Sequence, residues 1–256
     1  MLVYKEFVMP RFFVDASLLG EGIEKGSLVC VDGENAHHIS RSLRMKPGEE
    51  LVLCDANGKD CHTVIESFEA DRVFCRVERV EICPNEPPCK IKVYQAFCKG
   101  DKFDGIIQKC VELGMSEFTP VYSDNIISKP DAASAAKKLQ RWQKIADEAS
   151  KQCQRGVLCK INAPLSFSDA LKEIKESQRG FVCYENQRGI TLKDVLPDIA
   201  PADCAFFIGP EGGLSEREVA LVDEMGIDRV SLGYRILRTE TAAPAVLAMF
   251  LYAWEL

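Results

Sequence analysis

The chain has 256 residues, 46% of them hydrophobic and 28% charged, with a formal net charge of −7. That length suits one large domain or two smaller ones with a substantial core. The N-terminus lacks the apolar region of a signal peptide, and no apolar stretch has membrane-spanning length, so we expect a cytoplasmic protein without a membrane partner. The negative charge does not by itself indicate a nucleic-acid-binding protein.

Twelve cysteines are scattered along the chain without a Cys-x-x-Cys pair, and several lie in apolar, strand-like runs. A free cysteine in such a run behaves as a small buried hydrophobe. The three histidines, His37, His38 and His62, have no metal-ligand spacing with these cysteines. We therefore expect a reduced protein without a metal site.

Short β-branched runs separated by turn signals fill the first third of the chain. The predicted strands are Leu28–Val31, Glu50–Cys54, 61–67 and 72–80. The turn Ala56-Asn57-Gly58 is typical of a hairpin. This pattern predicts a small β-barrel over residues 1–83, and the proline-rich segment 84–89 is typical of a stiff linker.

Strands alternate with helices after the linker, which predicts an α/β domain with a mostly parallel sheet over residues 90–256. The predicted strands are 91–97, 117–121, 180–184, 205–208 and 229–232, and the predicted helices are 103–113, 135–154, 216–225 and 242–254. The pattern alone favours a doubly wound, Rossmann-like sheet.

Basic residues are concentrated in one segment of this domain. Residues 129–160 contain eight Lys or Arg against three Asp or Glu, and Arg141, Lys144, Lys151 and Arg155 follow one face at near-helical spacing. Two interpretations are open: a stripe that contacts phosphates, or an ordinary solvated face.

The most informative loop follows the predicted strand 205–208. Gly209, Gly212 and Gly213 surround Pro210 and Glu211, which lets backbone N–H groups approach a ligand closely. Ser215 and Glu218 have capping-box spacing for the next helix. The spacing matches neither the dinucleotide nor the nucleoside-triphosphate fingerprint. The alternative is a tight strand-to-helix turn without a ligand.

A second loop of this kind follows the strand 229–232. Arg235 and Arg238 flank two aliphatic residues, Glu240 follows, and Thr241 is placed to cap an almost wholly apolar C-terminal helix. Because ligands bind outside the carboxyl ends of strands in such sheets, the two loops predict one small-molecule pocket.

At this point the chain resembles a known family. The segments I-G-P-E-G-G-L-S (208–215) and L-G-x-R-I-L-R-T-E-T-A (232–242) resemble the C-terminal signature of the ribosomal RNA small subunit methyltransferase E family. Further segments occur in the family's order: M-P-R-F-F (9–13), H-I-x-R-S-L-R-M-K-P-G (38–48), K-G-D-K (99–102), I-Q-K-C-V-E-L-G (107–114) and R-W-Q-K-I (141–145). The resemblance covers nearly the whole chain.

The resemblance implies a SPOUT enzyme that uses S-adenosylmethionine to methylate N3 of a uridine in 16S rRNA, as naked RNA or in the assembled small subunit. It implies a trefoil-knotted, mostly parallel sheet in the α/β domain, a feature that periodicity cannot reveal. The N-terminal barrel would be PUA-like and help to hold RNA. The enzyme would be a homodimer with its pocket near the subunit interface.

The resemblance also places the site. Cofactor-binding residues would be Tyr184, Glu185, Ile208, Gly209, Pro210, Glu211, Gly212, Gly213, Leu232, Gly233, Ile236, Leu237 and Arg238. RNA-binding residues would be Arg11, Arg41, Arg44 and Lys46 in the first domain and Lys99, Lys102, Gln152 and Arg155 further along. For several of these a structural role is the alternative: Tyr184 as a packed strand end, Arg41 and Arg44 as a solvated loop.

Methylation of N3 requires loss of its proton, so a base or a cation that stabilises the uracil anion is expected. Arg238 and Glu240 are the candidate catalytic residues: Arg238 for the negative charge on a uracil oxygen, Glu240 for the proton, directly or through water. Glu240 could instead be a favourable charge at a helix start, and Arg238 a structural ion pair.

Three other functions remain open. The chain could methylate another RNA or a ribose 2′-hydroxyl, or it could be an inactive RNA-binding homologue. A nucleotide-dependent oxidoreductase is disfavoured, because the dinucleotide fingerprint is missing.

Overall fold

The computed structural model describes residues 9–20, 22–127 and 129–256. The chain divides into two units: Met1–Glu86 with Lys151–Leu158, and Pro87–Ser150 with Cys159–Leu256. The first residues of the predicted barrel, 1–8, lie outside the described part. Within that part, no helix combines the length and apolar character needed to cross a membrane.

The first unit contains one mixed sheet. Its strands are β1 (Arg11–Phe13), β2 (Leu28–Val31), β3 (Glu50–Cys54), β4 (Lys59–Glu69) and β5 (Arg72–Ile82). Their order is β1-β3-β4-β5-β2, with β1 parallel to β3 and the other pairs antiparallel. A 3₁₀ helix (Ala16–Leu19), α1 (Gly33–His37) and a π-helix (His38–Ser42) complete the unit. The four predicted strands are confirmed, whereas β1 was missed because three residues carry too little periodicity.

One face of this sheet forms the core of the first unit. Val73, Cys75 and Val77 alternate with less buried neighbours along β5, which is the period of a half-buried strand. Burial raises the pKa of the Cys75 thiol to about 11, so this cysteine is a neutral, apolar group at physiological pH. In the part of the chain that the structure describes, the twelve cysteines form no disulfide.

The second unit is built on a parallel sheet. Its strands are β6 (Lys90–Ala96), β7 (Met115–Tyr122), β8 (Lys160–Ile161), β9 (Leu165–Ser166), β10 (Arg179–Cys183), β11 (Asp203–Ile208) and β12 (Asp228–Val230). Their order is β12-β10-β11-β6-β7-β8, and β9 also pairs with β7. These pairs are parallel, which confirms the predicted sheet type.

The strand order differs from the Rossmann-like sheet that the sequence pattern favoured. Numbered within the unit with β8 and β9 as one position, the order is 6-4-5-1-2-3, whereas the Rossmann order is 3-2-1-4-5-6. The pattern was wrong here because periodicity identifies strands but not their neighbours. The trefoil knot and the closure of the first sheet into a barrel stay predictions.

Helices cover both faces of the parallel sheet. They are α2 (Lys102–Glu112), α3 (Ala132–Gln152), α4 (Phe167–Glu176), α5 (Leu192–Val195), α6 (Glu216–Glu224) and α7 (Thr239–Trp254). Phe206 and Phe207 are adjacent in β11 and therefore point to opposite faces. Phe206 packs edge-on against Phe250 of α7, and Phe207 packs edge-on against Phe167 of α4. The sequence missed α4 and the short α5.

The register of the central strands positions the site. Cys183 at the end of β10 lies beside Ile208 at the end of β11 and beside Val230 at the end of β12. Three loops therefore leave the sheet at the same edge. These loops contain the two segments that the sequence singled out.

Gly180 provides a test of the packing between α4 and β10. A Cβ at this position would lie 2.0 Å from the carbonyl oxygen of Ile174, a backbone atom that cannot turn away. We expect Gly180→Ala to lower the free energy of unfolding by about 2 kcal/mol, as overpacking typically does. Gly105 in α2 is the matched control, since its added Cβ meets nothing within 4 Å. Gly105→Ala should stabilise by roughly 0.5–1 kcal/mol. Equal urea midpoints for the two variants would contradict this packing.

Candidate active site

The three loops after β10, β11 and β12 enclose one pocket of about 390 Å³. Every predicted cofactor residue except Gly212 lines it, as do both predicted catalytic residues, Arg238 and Glu240. Lys102, which the sequence assigned to RNA, lines the same pocket. The structure thus brings together residues from three distant segments, while their individual roles stay predictions.

Two glycines of the loop after β11, Gly212 and Gly213, have close neighbours. A Cβ on Gly213, which has a φ of +67°, would lie 2.3 Å from Oε1 of Glu185. A Cβ on Gly212 would lie 3.0 Å from the backbone oxygen of Asn125. The Asn125 side-chain amide donates to the carbonyl oxygens of Gly212 (3.3 Å) and Gly213 (3.2 Å). The loop after β7 therefore holds the glycine loop, a contact that the sequence did not predict.

The predicted capping box begins α6. The Ser215 hydroxyl accepts from the backbone N–H of Glu218 at 3.2 Å, and the Glu218 carboxylate accepts from the backbone N–H of Ser215 at 2.9 Å. The other oxygen of Glu218 accepts from the backbone N–H of Asp124 at 3.0 Å. Asp124 in turn accepts from the Ser215 hydroxyl and the Arg217 guanidinium. This network ties the start of α6 to the loop after β7.

A buried polar contact joins the loop after β11 to the start of α7. The Thr239 hydroxyl donates to the carbonyl oxygen of Gly209 (2.9 Å) and accepts from the side-chain amide of Gln95 (2.8 Å). Gln95 lies in β6 and is fully buried. The sequence missed Gln95, although a glutamine inside the apolar run 91–97 was a usable signal. It also placed the helix cap wrongly at Thr241, since α7 begins at Thr239 and has no side-chain cap.

Lys102 pairs with two carboxylates, one in the loop after β11 and one in the first turn of α7. Its ammonium lies 2.9 Å from Oε1 of Glu211 and 3.3 Å from Oε2 of Glu240. Burial opposes ionisation of Glu211, but the hydrogen bond from Lys102 prevails and lowers the pKa. The backbone N–H of Glu240, followed by Lys102, lowers the pKa of that carboxyl. Both groups are therefore ionised at neutral pH.

Arg238 is held only loosely. Its side chain is 84% exposed and lies 4.0 Å from the Glu240 carboxylate. Exposed ion pairs of this kind contribute little to stability. The guanidinium is therefore free to turn toward a ligand, which weakens the purely structural interpretation of Arg238.

Comparison with known proteins identifies the family. A family model described as an RNA methyltransferase domain matches residues 85–251, and one described as an RNA methyltransferase PUA domain matches residues 31–78. The ribosomal RNA small subunit methyltransferase E of Bacillus subtilis is 34% identical over 253 residues, covering 97% of this chain and 98% of that protein. The chain belongs to the ribosomal RNA small subunit methyltransferase E family. The resemblance seen in the sequence is thereby confirmed.

Two further members extend the comparison. The Synechocystis ribosomal RNA small subunit methyltransferase E is 29% identical over 250 residues, covering 97% of this chain and 77% of that protein. The crystal structure of the Neisseria gonorrhoeae member, bound to S-adenosyl methionine, has a TM-score of 0.81 and 32% identity. It covers 96% of this chain and 98% of that chain.

Two of the arginines predicted to bind RNA are buried in ion pairs. Arg11 makes a two-pronged ion pair with Asp60 at 2.6 and 2.7 Å, and the two side chains are 7% and 1% exposed. Arg155 is 3% exposed and pairs with Glu86 at 2.8 Å. Moving the Arg11 guanidinium to a phosphate would leave the buried Asp60 carboxylate uncompensated, which is costly. The RNA-binding assignments of Arg11 and Arg155 stay predictions, and in the structure both guanidiniums are buried in ion pairs within the first unit.

The other predicted RNA-binding side chains lie at the surface. Arg41, Arg44, Lys46, Lys99 and Gln152 are exposed. The basic face of α3 is less continuous than predicted, because Arg141 pairs with Asp101 and Asp104. In the described ranges, no group of His, Cys, Asp or Glu is arranged to hold a metal ion.

Lys102 gives a pH-dependent prediction. Glu211 and Glu240 have pKa values below the ordinary value of 4.5, so they stabilise the folded state above that pH. This contribution is lost as the pH falls through their folded pKa values. We expect Lys102→Met to lower the free energy of unfolding by about 1 kcal/mol at pH 7. The difference from wild type should shrink below about pH 4.

Lys102→Arg, which keeps the cation, is the matched control and should stay close to wild type across the range. Urea unfolding followed by circular dichroism measures all three proteins. A Lys102→Met deficit that is the same at pH 7 and pH 3.5 would contradict the electrostatic explanation.

Proposed function

We propose that this chain transfers the methyl group of S-adenosylmethionine to N3 of a uridine in 16S rRNA of the small ribosomal subunit, in the cytoplasm. One observation carries the proposal. The two signature loops and the end of β10 come from distant parts of the chain, yet they line a single pocket. Family membership and the S-adenosyl methionine bound by the Neisseria gonorrhoeae member support the choice of cofactor.

The pocket fits such a cofactor. Its volume of about 390 Å³ lies in the range of small-ligand sites. Gly209, Gly213 and Gly233 contribute backbone without side chains, which permits contacts to an adenine edge. Ile208 and Leu237 offer apolar surface for its ring, and the ionised Glu211 offers charge to its cationic groups. The cofactor supplies an electrophilic methyl group on sulfur.

The protein's part of the chemistry is to position the uracil and manage the N3 proton. The exposed guanidinium of Arg238 can stabilise negative charge on a uracil carbonyl oxygen. Glu240 is ionised and can accept the proton directly or through water, but its lowered pKa makes it a weak base. Charge stabilisation by Arg238 is therefore the larger contribution in this mechanism, and Glu240 also stabilises the start of α7.

Other parts of the proposal concern RNA and assembly. Arg41, Arg44 and Lys46 would contact phosphates from the N-terminal domain, taken as residues 1–83. Lys99 would do so from the methyltransferase domain at 90–256, beyond the linker at 84–89, and Gln152 is a further RNA contact. The homodimer is supported by the apolar α7, on which Met249 and Tyr252 are 39% and 78% exposed.

The first experiment identifies the product. The protein is incubated with methyl-labelled S-adenosylmethionine and small subunits from cells that lack its gene, and the digested nucleosides are separated. We expect the label in 3-methyluridine. Label in a 2′-O-methylated nucleoside would favour ribose methylation. No label with a folded protein would favour an RNA-binding homologue.

The catalytic assignment is tested by substitution. We expect Arg238→Ala to lower kcat by about 100-fold, the usual effect of removing a donor to a developing oxyanion. Glu240→Gln should lower kcat less, roughly tenfold, because a weak base contributes little driving force. Arg238→Lys is the matched control that keeps the charge. If Arg238→Ala or Glu240→Gln keeps near-normal turnover and an unchanged melting temperature, the substituted residue is removed from the mechanism.

A further inference from the structure

The pocket mouth exposes two large apolar side chains in one short loop. Tyr234 is 99% exposed and Ile236 is 79% exposed, and both line the pocket. We call the segment 233–238 the rim loop. Gly233 enters it with a φ of +112°, a conformation that favours glycine, and its N–H donates to the Ser231 hydroxyl at 3.2 Å. A phenol ring with almost no contact to its own protein contributes nothing to the hydrophobic core. Its role is therefore in contacts with another molecule.

Arginines surround this ring. Arg235 and Arg238 belong to the rim loop and are exposed, and the exposed Arg188 lines the pocket from the loop after β10. Of the carboxylates that line the pocket, Glu211 and Glu240 are paired with Lys102. Glu185 is the remaining one. Positive charge therefore collects at the mouth of a protein whose net charge is −7.

We propose that the rim loop is a binding surface for single-stranded RNA beside the target nucleotide. The Tyr234 ring stacks on an unpaired base next to the uridine that enters the pocket, and Arg188 and Arg235 contact the neighbouring phosphates. This assignment rests on the proposed function and names where its substrate is held. Exposed aromatic rings flanked by arginines are how proteins hold unstacked nucleotides, because every base presents a π-face.

A second copy of this chain is the main rival occupant. A twofold contact through the same surface on both copies would place one set of arginines against the other. Like charges in a desolvated contact are unfavourable, whereas the RNA backbone is complementary to them. Charge therefore favours RNA.

The test compares three variants at one position. Tyr234→Ala removes the ring, Tyr234→Leu keeps apolar bulk without aromaticity, and Tyr234→Phe keeps the ring. Because the side chain is 99% exposed, these variants should fold as the wild type does. Ile199→Ala is the control for loss of exposed apolar surface, since Ile199 is 83% exposed and lies outside the pocket lining.

Binding is measured by filter retention of labelled small subunits from cells that lack the gene, alongside calorimetric titration with S-adenosylmethionine. We expect Tyr234→Ala and Tyr234→Leu to weaken subunit binding about 10- to 100-fold, with Tyr234→Phe and Ile199→Ala near wild type. Affinity for S-adenosylmethionine should not change. Arg235→Ala should reduce the salt dependence of binding by about one phosphate contact.

Wild-type subunit binding by Tyr234→Ala would overturn the proposal. So would a shift of the monomer–dimer equilibrium by Tyr234→Ala in sedimentation without a loss of subunit binding, which would assign the surface to a second copy. The readout is independent of methylation. A wild-type protein that binds subunits through Tyr234 but yields no 3-methyluridine would overturn the proposed function and leave the rim loop assignment standing.

Discussion

Parallel pairing of β10 with both β11 and β12 determines where everything else in the site can lie. Cys183, Ile208 and Val230 end three neighbouring strands side by side. Each following loop therefore begins at the same edge of the sheet, although residues 183, 208 and 230 are far apart in the sequence. Carboxyl ends of parallel strands are the usual place for a ligand, because loops there converge while helices cover the two faces. The pocket is a consequence of strand register.

Convergence of the three loops at one edge does not by itself fix their conformation. Polar contacts from neighbouring elements do so. The Gln95–Thr239–Gly209 contact is buried, where a satisfied hydrogen bond is strong and an unsatisfied group is costly. Asn125 holds the glycine loop from the loop after β7, and Lys102 holds two carboxylates at once. The site is thus supported by elements that do not line it as well as by those that do.

The formal net charge of −7 does not show how charged groups are distributed in the structure. The guanidinium groups of Arg11 and Arg155 are buried and form ion pairs with Asp60 and Glu86, respectively. Arg238 is exposed and loosely paired. The same residue type therefore occurs in two environments, which differ in the exposure of the arginine side chain: 7% for Arg11 and 3% for Arg155, against 84% for Arg238. Releasing Arg11 to a phosphate would leave the buried Asp60 carboxylate without its cation, whereas an exposed guanidinium exchanges partners at little cost.

Local pattern determined much of this protein from the sequence alone. The strands of the first unit, the alternation of the second, the Ser215–Glu218 capping box and the two glycine-containing loops all depend on residues close in the chain, and the signature segments identified the family. Tertiary structure decided what depends on distant residues. These features include the 6-4-5-1-2-3 strand order, the burial of Arg11 and Arg155, the Lys102 contacts, and the role of Gln95 beneath the loops. Their physical reason is shared: an ion pair or a strand neighbour is chosen by a partner elsewhere in the fold, and periodicity carries no information about that partner.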